Sequence, residues 1–163
     1  MAFVSDRLIL FGATGDLARR MLLPSLAALH ADGLVAEDLK IIGTARSEHD
    51  DADYRAFARA ALTEFLPEGR VDPATIDSFL DRLHYQALDA SHPDGFGVLR
   101  EKLGEDYDGL SIFLSTAPSL FEPTIAGLEA AGLGGDRVRI GLEKPLGTDL
   151  ETSCTINDAV ARV

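Results

Sequence analysis

Cysteine is almost missing from this chain. The single one, Cys154, leaves no intrachain disulfide framework, so packing must hold the fold, and the cytoplasm is the expected compartment. Basic residues are outnumbered: 15 Lys and Arg stand against 27 Asp and Glu, a formal net charge of −12. Nucleic acid and anionic membrane both select basic surfaces, so neither is an expected partner, although a local basic pocket for a phosphate ligand stays compatible with this balance. Long apolar runs are missing too. Leu8-Ile9-Leu10-Phe11 is far too short for a signal peptide or a membrane span, and neither is expected. The four histidines, His30, His49, His84 and His92, have no metal or triad spacing, and no metal is expected.

What is present alternates. Leu8 to Phe11 predicts a buried strand, followed by a helix with Ala18, Leu22, Leu26 and Leu29 on one face, a kink at Pro24 and an end near Gly33. Lys40 to Ala45 predicts a second strand, and Tyr54, Phe57, Ala58, Ala61, Leu62 and Phe65 a helical stripe. Asp72-Pro73 has the pattern of an N-cap with proline at the first helical position. His84 to Leu88 predicts a third strand, Phe96, Leu99 and Leu103 a helix, and Leu110 to Ser115 a fourth strand. Pro118 opens a helix that stops at Gly132, Arg137 to Glu143 predicts a fifth strand, and Thr148-Asp149-Leu150-Glu151 has capping-box spacing ahead of a last helix. Residues 1–163 therefore form one α/β domain of Rossmann type: a doubly wound, mostly parallel sheet with helices on both faces. Ligands of such sheets bind at the carboxyl ends of the strands.

Five strand ends carry candidate chemistry. After the first strand, Gly12-Ala13-Thr14-Gly15-Asp16-Leu17-Ala18 is a G-x-x-G-x-x-A variant of the dinucleotide loop. Gly12 permits the tight turn, Gly15 lets backbone approach a pyrophosphate, and Ala18 lets the helix pack on the strand; an ordinary glycine-rich turn is the competing reading. Asp16 suits a helix N-terminus electrostatically, and Arg19 and Arg20 follow one turn in. After the second strand, Arg46 and Ser47 stand where an NAD enzyme usually places an acid for the ribose 2′-hydroxyl; an arginine there suits a 2′-phosphate, unless it is only a solvated loop residue. Asp89 and Ala90 end the third strand at the same edge, and Ser115-Thr116-Ala117-Pro118 supplies small residues after the fourth. Glu143-Lys144-Pro145 ends the fifth, where Lys144 fits an anionic substrate or a nicotinamide, or else is a surface lysine before a turn.

Rival enzymes lack their signatures. Short-chain dehydrogenases need a tyrosine with lysine four residues on, whereas Tyr54, Tyr85 and Tyr107 are followed at that spacing by Ala58, Asp89 and Ser111. A P-loop needs a Gly-Lys pair, and the chain has none. A non-catalytic NADPH-sensing Rossmann module accounts for the first two sites but has no use for Glu143-Lys144-Pro145.

Gly12 to Ala18 resembles the G-A-S/T-G-D-L-A signature of glucose-6-phosphate dehydrogenases, and Glu143-Lys144-Pro145-Leu146-Gly147 resembles that family's E-K-P-F/L-G segment. Thr44-Ala45-Arg46-Ser47 and Phe113 to Pro118 are similar to two further family segments, and the four occur in family order. The resemblance implies an NADP-binding N-terminal domain, with NAD a weaker ligand. In it Gly12, Ala13, Thr14, Gly15, Asp16, Leu17, Ala18 and Arg19 would cradle the pyrophosphate, and Arg46, helped by Thr14 and Ser47, would hold the 2′-phosphate. Asp89 and Ala90 would line the cofactor, and Lys144 would touch both the nicotinamide end and the sugar phosphate. It implies oxidation of glucose 6-phosphate to the lactone, in the oxidative pentose phosphate pathway, by a full-length enzyme that is a homo-oligomer. The family's R-I-D-H-Y-L-G-K segment, which carries the catalytic histidine, and its substrate and dimerisation domain are not matched here. No catalytic residue is therefore assigned, and the isolated chain is expected to be inactive. Met21 also replaces a family lysine linked to the substrate side.

Overall fold

The computed structural model describes residues 3–143, 150–161 and 163. Five strands, β1 (Arg7–Phe11), β2 (Lys40–Ala45), β3 (Leu83–Ala87), β4 (Leu110–Leu114) and β5 (Val138–Leu142), form a parallel sheet in the order β3-β2-β1-β4-β5. Six helices accompany them: α1 (Leu23–Ala31), α2 (Asp51–Phe65), α3 (Pro73–Asp81), α4 (Gly97–Leu103), α5 (Phe121–Ala130) and α6 (Leu150–Val160). The doubly wound α/β expectation is met. The chain winds from β1 outward to β3, returns to β4 on the other side of β1, and so places its switch point between β1 and β4.

Strand side chains alternate between two cores. Ile9 and Phe11 of β1 join Ile112 and Leu114 of β4 under α4, α5 and α6. Leu10 joins Ile41 of β2 and Leu83 of β3 under α1, α2 and α3. Both faces being covered, β1 reads as a continuous apolar run instead of an alternating one. Burial of each large aliphatic side chain contributes roughly 1.5–3 kcal/mol.

The first helix departs from its expected phase. Helical backbone begins at Asp16, and Ala18–Leu22 is a π-helical turn in which the Leu23 N–H donates to the Ala18 carbonyl. That turn lies immediately ahead of Pro24, which has no N–H to continue an α ladder. The extra residue rotates all that follows. The buried stripe is Ala18, Leu23 and Ala27, while Leu29, predicted to face the core, is exposed. The helix ends as expected at Gly33, where φ is +68° and the Leu34 N–H donates to Leu29 O at 2.9 Å.

Helix α2 begins one turn before its apolar stripe, at a capping box. Asp50 accepts the Asp53 N–H at 2.8 Å, and the Asp53 carboxylate accepts the Asp50 N–H. Asp72 caps α3 as predicted, accepting the Thr75 N–H at 3.0 Å. The predicted box at 148–151 lies largely outside the described residues.

β3 is an edge strand, and α2 supplies partners to its outward face. Asp51 accepts the Tyr85 N–H at 2.8 Å, and Arg55 Nε donates to Leu83 O at 2.9 Å. From β3 itself, Gln86 donates to Ala87 O at 3.1 Å. Asp51 also meets His84 Nδ1 at 3.0 Å and Lys102 Nζ at 3.1 Å, joining α2, β3 and α4. Burial works against ionising Asp51, but the Tyr85 amide, Lys102 and His84 outweigh it and hold the carboxyl below its ordinary range. Burial lowers His84 despite its acidic neighbour, so the ring is neutral at pH 7 and Lys102 is the cation of this cluster.

Candidate functional site: a dinucleotide cleft at the strand ends

The carboxyl ends of β1 to β4 open onto a cleft of about 430 Å³. Its walls are Gly12, Thr14 and Gly15 after β1, residues 44–47 at the end of β2, residues 88–91 after β3, and Thr116, Ser119 and Leu120 after β4.

The β1 loop has little freedom. Gly12 sits at φ +76°, where only glycine is at ease, and a Cβ added there would come within 2.9 Å of both Ser115 O and Oγ. Ser115 is fixed in turn, its hydroxyl donating to Phe11 O at 2.6 Å. The Gly12 and Ala13 amides both donate to Thr44 O, at 3.0 and 3.2 Å, so the loop is tied to the end of β2. A Cβ at Gly15 would meet only Gly12 O, at 3.2 Å, which leaves its cleft side open to a ligand. Because helical backbone starts at Asp16, first-turn amides and the positive end of a helix dipole face the loop mouth.

The predicted residues divide by position. Gly12, Thr14, Gly15, Arg46, Ser47, Asp89 and Ala90 meet at this one cleft. Ala13 and Ala18 are fully buried in the fold beneath it. Asp16 turns along its own helix to pair with Arg20 at 2.9 Å, and Arg19 pairs with Glu64 of α2 at 3.0 Å and lies over the Phe65 ring. Leu17 does not reach the cleft wall. Met21 is exposed, and Arg20, the basic residue beside it, is engaged by Asp16. Lys144 and Pro145 lie outside the described residues; Glu143, just before them, donates its N–H to Leu114 O at 3.3 Å.

Arg46 is exposed beside the cleft and has no ion-pair partner among the described residues. Asp89 accepts both the amide and the hydroxyl of Ser91, at 3.0 and 2.6 Å, and the hydroxyl foremost holds its carboxyl below the ordinary range. Two hydroxyls in the wall, Thr44 Oγ1 and Thr116 Oγ1, are buried without a hydrogen-bond partner. A dry, unpaired hydroxyl is costly, so a polar ligand in the cleft suits this wall. The glycine loop, a helix start, a basic residue after β2 and the two orphan hydroxyls all fit a phosphorylated dinucleotide.

Two tyrosines beneath the cleft take roles at the site that their place in the sequence does not announce. Tyr54 of α2, wholly buried, donates its hydroxyl to Ala13 O at 3.3 Å. Tyr85 of β3 donates to Ser47 O at 2.7 Å, with Ala45 O also within 3.2 Å. Burial pushes both phenols above their ordinary range, so both stay protonated as donors. The rings approach to 5.2 Å over Gly43, which has no side chain to separate them. The only sequence signal was that glycine inside an otherwise apolar strand.

Comparison with known proteins agrees with this geometry. Residues 9–163 match the family model described as glucose-6-phosphate dehydrogenase, NAD binding domain. The chain is 52% identical over 156 residues to the glucose-6-phosphate 1-dehydrogenase of Zymomonas mobilis, covering 96% of this chain and 32% of that one. With the Mycolicibacterium smegmatis enzyme of the same name it shares 38% over 160 residues, again 95% of this chain against 32% of the relative. Among solved structures, the glucose-6-phosphate 1-dehydrogenase of Mycobacterium avium superposes with a TM-score of 0.87 at 33% identity, over 99% of this chain and 34% of that one. The chain thus spans about a third of the length of the relatives it matches. With a parallel five-stranded sheet, a glycine loop at its switch point and a family match over nearly every residue, the chain belongs to the glucose-6-phosphate dehydrogenases, as their nicotinamide dinucleotide-binding domain.

Proposed function

We propose that this domain holds NADP in preference to NAD and serves a glucose-6-phosphate dehydrogenase, oxidising C1 of glucose 6-phosphate to the lactone. The observation that carries the cofactor choice is Arg46 at the rim of the cleft, on the strand end where an acid would select NAD. Gly12, Thr14 and Gly15, with the helix start behind them, hold the pyrophosphate; Arg46 and Ser47 hold the 2′-phosphate; Asp89 and Ala90 line the space between. Bound NADP supplies the hydride acceptor. The protein's part is to fix its position and to keep water from the strand ends. Lys144 lies outside the described residues; the family resemblance of Glu143-Lys144-Pro145 assigns it to the nicotinamide end and the sugar phosphate.

Sequence relatives carry the name of that enzyme, and a solved relative at 28% identity and TM-score 0.81 is described as a complex with glucose-6-phosphate. The domain works in the cytoplasm, in the oxidative pentose phosphate pathway, within a homo-oligomeric enzyme. No described helix is long and apolar enough to cross a membrane. The test is calorimetric titration of the wild-type chain and of Arg46→Ala with both cofactors. Removing a charge-assisted contact should weaken NADP binding by about 1.5–3 kcal/mol and leave NAD nearly unchanged. Equal losses for the two cofactors reject the assignment.

A further inference from the structure

We infer that Tyr85 is the positioning residue for Arg46, and that its hydroxyl sets how strongly the cleft prefers a 2′-phosphorylated dinucleotide. The inference rests on Arg46 as the 2′-phosphate ligand and adds what holds Arg46 in place.

Arg46 follows directly on β2, and its side chain is exposed at the cleft rim. A flexible guanidinium in water loses rotamer entropy when it grips an anion, so the backbone that carries it must already be fixed for the grip to discriminate. The ladder to β3 gives out at this point. The last β2–β3 register pair is Ala45 with Ala87, and the Leu88 N–H donates to Ala45 O at 2.9 Å. Beyond that pair, the tie on the turn is the Tyr85 phenol, which donates to Ser47 O at 2.7 Å and lies 3.2 Å from Ala45 O. The two carbonyls flank Arg46 in the chain: Ala45 O is held by the Leu88 amide, and the one O–H of the phenol ties Ser47 O, so the residue on each side of Arg46 is fixed to β3 or the turn after it.

The phenol is itself immobile. Tyr85 is 3% exposed, packed against Tyr54 at 5.2 Å and edge-on to His49 at 5.4 Å. Its backbone N–H is held by Asp51. Tyr85 lies beneath the turn and does not line the cleft, so it acts through Arg46. The pyrophosphate loop hangs elsewhere, from Thr44 O and Tyr54, and loss of the Tyr85 hydroxyl leaves those ties in place. NAD, which has no 2′-phosphate, is therefore the internal control.

The experiment titrates wild type, Tyr85→Phe, Arg46→Ala and the double variant with NADP and NAD by calorimetry, with circular dichroism on each. Tyr85→Phe keeps the ring and its packing. One lost neutral hydrogen bond converts to roughly a three- to tenfold weaker NADP binding, with NAD changed less than about twofold. In the Arg46→Ala background the same substitution should add nothing, because the group it positions is gone. An unchanged NADP affinity in Tyr85→Phe, equal losses for NADP and NAD, or the full loss persisting without Arg46 would each overturn the inference while leaving Arg46 as the ligand. Loss of the native dichroism would make the hydroxyl a determinant of the fold and overturn it too. If Arg46→Ala itself spares the NADP preference, the underlying cofactor assignment fails, and Tyr85 with it.

Discussion

Replacing Gly43 by alanine should destabilise this domain, although glycine to alanine in a strand ordinarily helps. The added methyl would stand 2.6 Å from Cε1 and Cζ of Tyr54 and 2.8 Å from its hydroxyl. Carbon atoms in contact prefer about 3.5–4.0 Å, so the ring would have to retreat by about an ångström. It has no room. Tyr54 is wholly buried, stacked on Phe57 at 5.9 Å, against Tyr85 at 5.2 Å, and hydrogen-bonded to Ala13 O. Backbone entropy favours alanine by roughly 0.5–1 kcal/mol, while overpacking of a filled core costs about 1–3 kcal/mol. The net expectation is a loss of about 1–2 kcal/mol, or roughly 2–8 °C in Tm for a domain of this size. Urea denaturation followed by circular dichroism measures it, and cofactor affinity should fall as well because the displaced phenol drags Ala13 and the glycine loop. The same substitution made in a Tyr54→Leu background should cost little, since the ring it strikes is absent. Unchanged or raised stability in Gly43→Ala alone would refute the placement of Tyr54 across β2.

Three further outcomes are expected. Gly15→Val should abolish NADP binding while circular dichroism stays native, because Gly15 has no positive φ to strain and lines the cleft, so that side-chain bulk there takes room the pyrophosphate needs; retained binding would reduce the loop to a mere turn. Asp51→Asn should cost about 1–2 kcal/mol at pH 7 by uncoupling α2, β3 and α4. Its folded pKa lies below the ordinary carboxylate value, so the contribution is present above pH ~4 and is lost as pH falls further, and the gap between variant and wild type should close there; a gap that widens in acid would contradict this. The isolated chain given glucose 6-phosphate and NADP should show no rise in NADPH absorbance. The carboxylate in the described cleft wall, Asp89, is held low by Ser91 and is a poor base at neutral pH; a protein-dependent rate would show a base that this account misses.

Most of this architecture was legible because periodicity and punctuation agreed. All five strands fall within about a residue of their apolar runs, and Gly33 and Gly132 end their helices with the positive φ expected of them. The phase of the first helix was not legible: a π turn ahead of Pro24 changes the repeat, and no residue pattern announces that. The box at Asp50 lacks the usual sequence signature, because its reciprocal partner is Asp53, shorter than the usual glutamate. For the cleft, the glycine loop and Arg46 were visible because local spacing encodes them. Tyr54 and Tyr85 were not, since their task depends on contacts spanning 41 and 38 residues that only the folded sheet brings together.

The side chains that fasten the outer edge of β3 also limit how copies of this domain can associate. A sheet grows into a fibre only if every added molecule offers two receptive edges, one to attach by and one to receive the next. On the β3 side an incoming strand would first have to displace Asp51 from the Tyr85 amide, Arg55 from Leu83 O and Gln86 from Ala87 O. Among the described residues, strand-to-strand addition on the β3 side therefore carries the cost of breaking those three hydrogen bonds, which disfavours growth through that edge.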